Sequence, residues 1–138
     1  AGRLLTGAVE ELRVVQSVLT YQGEEGRLRR LDREMLKTTA FDLGHCYAAL
    51  GRYQEAVVAY GAAVNRYPED ARVVPAYLRM AEAYRGIGRP DDARAAVEQA
   101  RLVLGQLPAQ ALAAGSSLTK DDWETWLARA RDVGTVQA

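Results

Sequence analysis

The fold is decided by residues 43–70, which read LGHCYAALGRYQEAVVAYGAAVNRYPED. Before Gly51 and again after it, apolar residues recur at steps of three and four, which is the period of an amphipathic helix. Gly51 stands where a glycine commonly closes a helix, and Pro68 marks a turn after the second apolar segment. The stretch therefore predicts two helices joined by a short turn, the second running from Tyr53 to Arg66.

The chain contains this helix pair twice. When the sequence is shifted by 37 residues, identical residues coincide at several structurally demanding positions. These pairs are Tyr47 with Tyr84, Gly51 with Gly88, Arg52 with Arg89, Ala56 with Ala93, and Ala63 with Ala100. Chance similarity between two alanine-rich helices does not explain matched glycines and tyrosines, so the sequence indicates a duplicated unit.

The duplicated unit resembles the tetratricopeptide repeat, a helix-turn-helix unit of about 34 residues with small, aromatic and turn residues at fixed offsets. The first copy, residues 37–70, carries this pattern closely: Leu43-Gly44, Tyr47, Gly51, Tyr53, Ala56, Tyr60, Ala63 and Pro68. The resemblance implies an all-α fold, a right-handed superhelical stack of helix hairpins, in which the small residues let paired helices approach to about 8–10 Å.

The second copy, whose pattern occupies 74–107 within a unit of 71–107, matches less closely. It keeps Met80-Ala81, Tyr84, Gly88, Ala93 and Ala100. It has Pro90 and Val97 where the first copy has Tyr53 and Tyr60. Pro75 fits the first turn of one helix of this copy, and Pro90 is expected to open the other.

The segments on either side must complete the core, because stacks of such repeats usually need three or more units. Apolar residues between Leu4 and Leu19 follow the helical period and predict one buried face on a helix over about 3–20. Gly23 predicts a break, after which a long helix is expected over about 25–50. A last helix, over about 118–132, is predicted to cap the second copy with an apolar stripe: Trp123, Trp126, Leu127 and Ala130. The prediction is a single domain over 1–138 with about six helices, in which 1–36 supplies the first helix and the start of the long one.

In tetratricopeptide proteins the first helix of each repeat lines a groove that binds partners, and the resemblance assigns that role to six residues here. They are Thr38, Phe41 and His45 in the first copy, and Leu78, Glu82 and Arg85 in the second. Phe41 and Leu78 would be apolar anchors for a peptide, while the others would form hydrogen bonds or ion pairs. The alternative is that Phe41 and Leu78 are buried by the first and last helices.

Composition argues against other classes of function. Lysine plus arginine and aspartate plus glutamate both number 18, so no net charge attracts a nucleic acid. Cys46 is the only cysteine and His45 the only histidine, which leaves too few ligands for a typical zinc site. Neighbours in a helix also point about 100° apart, so these two do not form a nucleophile and base pair. We predict no metal, no cofactor and no enzymatic activity.

The predicted partner is another protein or a peptide. The alternative is a structural role, in which the end helices mediate self-association as a homo-oligomer or belong to a larger helical array. No apolar run approaches the ~20 residues that span a bilayer, so membrane insertion by this segment is not predicted.

The compartment stays open between the cytoplasm and the periplasm or cell envelope. Because the chain begins with Ala1, we expect a longer precursor that could carry an anchor. The lengthened connection between Pro68 and Pro75 also resembles repeats of bacterial envelope proteins, such as outer-membrane assembly lipoproteins. That resemblance implies a bacterial origin.

Overall fold

Five helices with defined ends follow one another along the chain. The computed structural model describes residues 2–24, 30–108, 122–125 and 127–129. The helices are α1 Gly2–Glu24, α2 Arg30–Ala49, α3 Tyr53–Arg66, α4 Val73–Gly86 and α5 Pro90–Gln106. Residues 122–125 and 127–129 are helical as well. Each of the five helices packs on the next, so the predicted all-α stack of helix hairpins is confirmed.

Glycine ends α2 and α4 in the same way. Gly51 has a φ of 75° and Gly88 a φ of 73°, in the left-handed region that residues with a Cβ avoid. The residue after each glycine, Arg52 or Arg89, donates its backbone N–H to the carbonyl five residues earlier, at 2.9 and 2.8 Å. This is the Schellman arrangement of a helix end, and it reverses the chain in both copies.

Asp70 and Arg72 order the connection between α3 and α4. The carboxylate of Asp70 accepts the backbone N–H of Arg72 and two guanidinium N–H groups, all at 2.9 Å. These hydrogen bonds hold the pKa of Asp70 below its ordinary value. Arg72 also donates to the hydroxyl of Thr38 at 2.9 Å and lies 5.1 Å from the centre of the Phe41 ring. The lengthened connection is therefore an ordered turn fastened to α2.

Small residues allow the helices to pack closely, as the sequence predicts. A Cβ added to Gly44 would lie 2.5 Å from the ring of Tyr60, nearer than real Cβ contacts come. Tyr60 is itself completely buried. The alanines at the matched small positions are at most 1% exposed: Ala56, Ala63, Ala81, Ala93 and Ala100.

The helix α1 is longer than predicted. It continues through Gly23 to Glu24, because a single glycine costs a helix only about 1 kcal/mol and its polar neighbours are good helix formers. The start of the predicted long helix, at 25–29, lies outside the described residues, and α2 is described from Arg30.

The predicted buried face of α1 is present, but the prediction was wrong for Leu4 and Val18, which are exposed on a second face. Val9 and Leu19 are buried, and α1 packs on α2. At 3.6 residues per turn Val18 lies opposite Val9, and it belongs to a second apolar stripe that is exposed. That outer stripe consists of Leu4, Val14, Val18 and Tyr21.

Two side chains near the C-terminus join the core of the second copy. Trp123 is 8% exposed and Leu127 is fully buried, in the same apolar cluster as Leu104 and Leu107. Trp126 and Ala130, the other residues of the predicted stripe, lie outside the described residues. The capping helix over 118–132 and the boundaries of the domain therefore stay predictions.

Candidate functional site

An open pocket of about 510 Å³ lies between α2 and α4, with α3 at one side. Much of its lining has little or no side chain: Ala48, Ala49, Ala83 and Gly86. Its polar lining is formed by His45, Arg79 and Glu82. We call it the α2–α4 pocket. Because small residues line it, the main chain of a bound segment can come close to both helices.

Tyr53 contributes a ring to this pocket because Gly86 makes room for it. A Cβ on Gly86 would lie 2.7 Å from the Tyr53 ring. Tyr53 is 38% exposed, so one edge of the ring remains available to a ligand. An aromatic surface beside the small residues suits an apolar side chain of a partner.

Tyr60 fixes the tautomer of His45. The Tyr60 hydroxyl lies 2.6 Å from Nδ1 of His45 and has no other hydrogen-bond partner among the described residues. Burial raises the pKa of Tyr60 to about 12, so the hydroxyl stays protonated. Because this buried hydroxyl has no other acceptor among the described residues, it donates its hydrogen to Nδ1. The proton of the neutral imidazole is then on Nε2, where it can donate to a bound acceptor.

The imidazole of His45 stays neutral at physiological pH. Burial lowers the pKa of His45 below its ordinary value of 6.5, and the carboxylate of Asp42 opposes this shift only in part. The hydrogen bond from Tyr60 to the neutral ring acts in the same direction as burial. His45 therefore offers a neutral donor rather than a positive charge.

Arg79 and Glu82 form an exposed ion pair at the edge of the pocket. Their side chains are 3.2 Å apart and both are 58% exposed. Exposed pairs of this kind contribute about 0.2–1 kcal/mol. Both groups can consequently exchange this contact for one with a ligand at little cost.

Of the six predicted groove residues, His45 and Glu82 line the α2–α4 pocket. Phe41 and Leu78 are buried in the core, at 2% and 6% exposure, and Phe41 lies against Tyr67 and Arg72. Their burial by the first and last helices in particular stays a prediction. The next residue in each helix, Asp42 or Arg79, points about 100° away and is partly or fully exposed. The two residues predicted as apolar anchors of the groove therefore belong to the core faces of α2 and α4.

The remaining two predicted residues are exposed and lie outside the lining of this pocket. Thr38 accepts the hydrogen bond from Arg72, and Arg85 stands in the last turn of α4. The six residues are not gathered into one site, and their role as a set in binding stays a prediction.

Sequence reasoning missed an exposed row along α2. Leu31 and Met35 are 82% and 55% exposed, and they precede Thr38, Asp42 and His45 at steps of four and three. Residues at these steps share one face of a helix. The sequence contained a signal for this row. In the 37-residue alignment Asp42 matches Arg79, and both positions are charged, while the preceding positions, Phe41 and Leu78, are both apolar. A position that is charged in both copies is expected on the solvent-exposed side of its helix.

Cys46 has the properties of a structural cysteine. It is partly buried, and burial together with the charge of Asp42 raises the pKa of its thiol, whereas a reactive thiol needs a lowered one. In the part of the chain that the structure describes, no group of three or more His, Cys, Asp or Glu residues could hold a metal ion. None of the described helices is both long and apolar enough to cross a membrane.

A family assignment follows from the sequence pattern of both hairpins. The tetratricopeptide repeat pattern matches residues 35–106, more than half of the chain. The chain belongs to the tetratricopeptide repeat family. The match starts within α2 and ends with α5, so it includes both hairpins of this tetratricopeptide domain and leaves out α1. Comparison with curated proteins and with solved structures gave no match.

Membership of the tetratricopeptide family supports a coarse function. Repeats of this family generally mediate contacts between proteins and are typically non-catalytic. The predicted bacterial origin, cell-envelope role and compartment are not addressed by the family match and stay predictions.

Proposed function

We propose that this tetratricopeptide domain is a protein-binding module whose α2–α4 pocket holds an extended segment of a partner protein. The observation that supports it is the mixed lining, in which small residues such as Ala48 and Gly86 stand beside polar groups of His45, Arg79 and Glu82. Small residues admit a main chain, and the polar groups can satisfy its hydrogen bonds.

The polar lining offers donors and acceptors to a peptide backbone. The Nε2–H of His45 and the guanidinium of Arg79 donate to carbonyl oxygens, and the carboxylate of Glu82 accepts from an amide N–H. An extended segment exposes both kinds of group along its edge. On the same face of α2, the exposed Leu31 and Met35 provide a place for an apolar side chain of the partner.

Site-specific crosslinking tests the location. The chain is prepared with a photo-reactive amino acid in place of Ala49, inside the pocket, or in place of Leu102, which is 58% exposed on α5. Crosslinks to one partner protein are expected from the first position and not from the second. Equal crosslinking at both positions would remove the α2–α4 pocket as the site.

Affinity measurements with the captured partner test the chemistry. Glu82→Lys and Met35→Asp change exposed side chains, so the fold should survive while the affinity falls by about tenfold or more. Leu102→Asp is the matched control, an equally exposed position on another helix. Calorimetry that gives wild-type affinity for both Glu82→Lys and Met35→Asp would contradict the proposal.

Self-association is a second candidate, favoured by the outer stripe of α1. Leu4, Val14, Val18 and Tyr21 leave large apolar side chains exposed on one helix face, where a second copy could cover them. Light scattering of the wild type and of Val18→Asp would test this. A wild type that stays monomeric into the millimolar range removes this candidate and leaves the α2–α4 pocket unaffected.

A further inference from the structure

A second open pocket, of about 450 Å³, lies between α1 and α3. It uses the side of α2 that carries Leu36, Ala40 and Leu43, whereas the α2–α4 pocket uses the side of His45. The lining is mainly apolar, and Val58 on α3 is 67% exposed at its edge. We call it the α1–α3 pocket. Its volume is within the range of pockets that hold a ligand or a large side chain of a partner.

Ala40 contributes to the space in the α1–α3 pocket, together with the alanines that α3 places around it. The 37-residue shift aligns Ala40 with Tyr77, whose side chain is partly buried against the core in the second copy. Leu36, Ala40 and Leu43 are at most 8% exposed, so the base of the pocket is firmly packed and apolar. The first copy therefore leaves room where the second copy places an aromatic ring of its own.

The charges around the α1–α3 pocket are unbalanced. Within the described part of the chain Arg13 has no ion pair, and Arg66 contacts only the ring and hydroxyl of Tyr67. Glu55 is the one acidic residue among the described lining residues, and it is already paired with Arg52. Arg13 and Arg66 are thus two positive charges without an acidic partner, next to the apolar floor of the pocket.

We propose that the α1–α3 pocket is a second protein-binding site, which takes a large apolar or aromatic side chain flanked by acidic residues on a partner segment. The anchor occupies the space above Ala40, and the carboxylates pair with Arg13 and Arg66. Because this pocket and the α2–α4 pocket lie on opposite sides of α2, one molecule can bind two partners at once. Neither site depends on the other.

A peptide titration followed by NMR tests this site directly. The ¹⁵N-labelled chain is titrated with the peptide acetyl-Glu-Glu-Trp-Glu-Glu-amide, and the amide signals of Ala40, Val58 and Ala62 are expected to shift. Binding should weaken as salt is added, since exposed charge pairs are screened. Two control peptides, one with lysines in place of the glutamates and one with glycine in place of tryptophan, are expected to leave these signals unchanged.

Three variants separate the anchor from the charges. Ala40→Tyr gives the first copy the side chain of the second and should abolish the shifts. Arg13→Glu and Arg66→Glu change exposed residues and should each weaken binding by about three- to tenfold. Arg101→Glu is the matched control, an exposed arginine on α5 outside both pockets, and should bind as the wild type does.

Several results would overturn this proposal. They are equal binding of the lysine peptide, shifts confined to His45 and Glu82, and unchanged affinity in both Arg13→Glu and Arg66→Glu. If the pocket signals move with protein concentration alone while light scattering reports a doubled mass, the occupant is a second copy and the partner assigned here is wrong.

Discussion

The two helix hairpins of this domain have matching turns and different cores. At each turn an arginine lies over a tyrosine ring, Arg52 over Tyr47 at 5.1 Å and Arg89 over Tyr84 at 5.3 Å. Each arginine also pairs with an acidic residue three positions further along the chain. The two turns are thus stabilised by equivalent contacts, although the helices that they join have different cores.

The cores use different residues for the same helix crossing. In the first copy Gly44 has no side chain and the large ring of Tyr60 lies against it. The second copy has Ala81 and Val97 at the equivalent positions, buried to 1% and 3% exposure. A larger residue on one helix goes with a smaller residue on the other. The combined volume of the two side chains at the crossing therefore matters more than the size of either one.

The largest expected effect comes from replacing Gly44 by alanine, which is the residue at the equivalent position of the second copy, Ala81. Gly44→Ala forces a Cβ into the ring of Tyr60, which is fully buried, and should lower the free energy of unfolding by about 2–3 kcal/mol. This loss outweighs the ~1 kcal/mol by which alanine favours a helix over glycine.

Adding Tyr60→Val to Gly44→Ala completes the exchange with the second copy and should recover part of the loss. Urea unfolding of the two single variants and the double variant measures the coupling between the positions. Strictly additive losses would show that the two residues do not compete for one volume.

A smaller effect, equal in both copies, is expected at the turns. Gly51→Ala and Gly88→Ala each place a Cβ in the left-handed region and should cost about 1–2 kcal/mol. Thermal unfolding of the two variants gives the comparison. A large difference between them would mean that the two turns are not equivalent, despite their matching φ angles and hydrogen bonds.

A still smaller effect is expected for the same substitution at Gly86. Its added Cβ would also meet a ring, at 2.7 Å from Tyr53, but this tyrosine is 38% exposed and can swing aside. Gly86→Ala should therefore change stability by less than about 1 kcal/mol, measured by urea unfolding beside Gly44→Ala. A loss as large as that of Gly44→Ala would show that distance, not burial of the neighbour, sets the cost.

The smallest expected effect is a pH dependence confined to the first copy, which has His45 where the second has Glu82. Because burial lowers the pKa of His45 below 6.5, the folded state binds fewer protons than the unfolded state just below that pH. Stability should fall as the pH drops below 6.5, and His45→Gln should remove this component.

The NMR titration of the single histidine checks the pKa directly. Tyr60→Phe removes the hydrogen bond to the neutral ring and should raise the pKa of His45 toward its ordinary value. A pKa at or above 6.5 in the wild type would contradict the lowered pKa of this ring.

Much of the fold could be predicted from the sequence because its signals are local. Gly51 and Gly88 end their helices through their own backbone freedom, and Pro90 opens α5 through its own fixed φ angle. The 37-residue repeat then orders the hairpins without any knowledge of contacts. The same reasoning failed in α1, where a helical period shows that apolar residues share faces but not how many faces are covered.

The series of helices and turns, and the family to which the chain belongs, can both be read from the sequence, since both depend on residue types at fixed spacing. The tertiary structure decided which side of each helix is buried, and this placed Phe41 and Leu78 in the core and left Asp42 and Arg79 toward the solvent side. It also brought the Tyr60 hydroxyl to His45, fifteen residues away along the chain. Such contacts depend on how neighbouring helices cross, because a face of a helix becomes buried only when another helix packs on it.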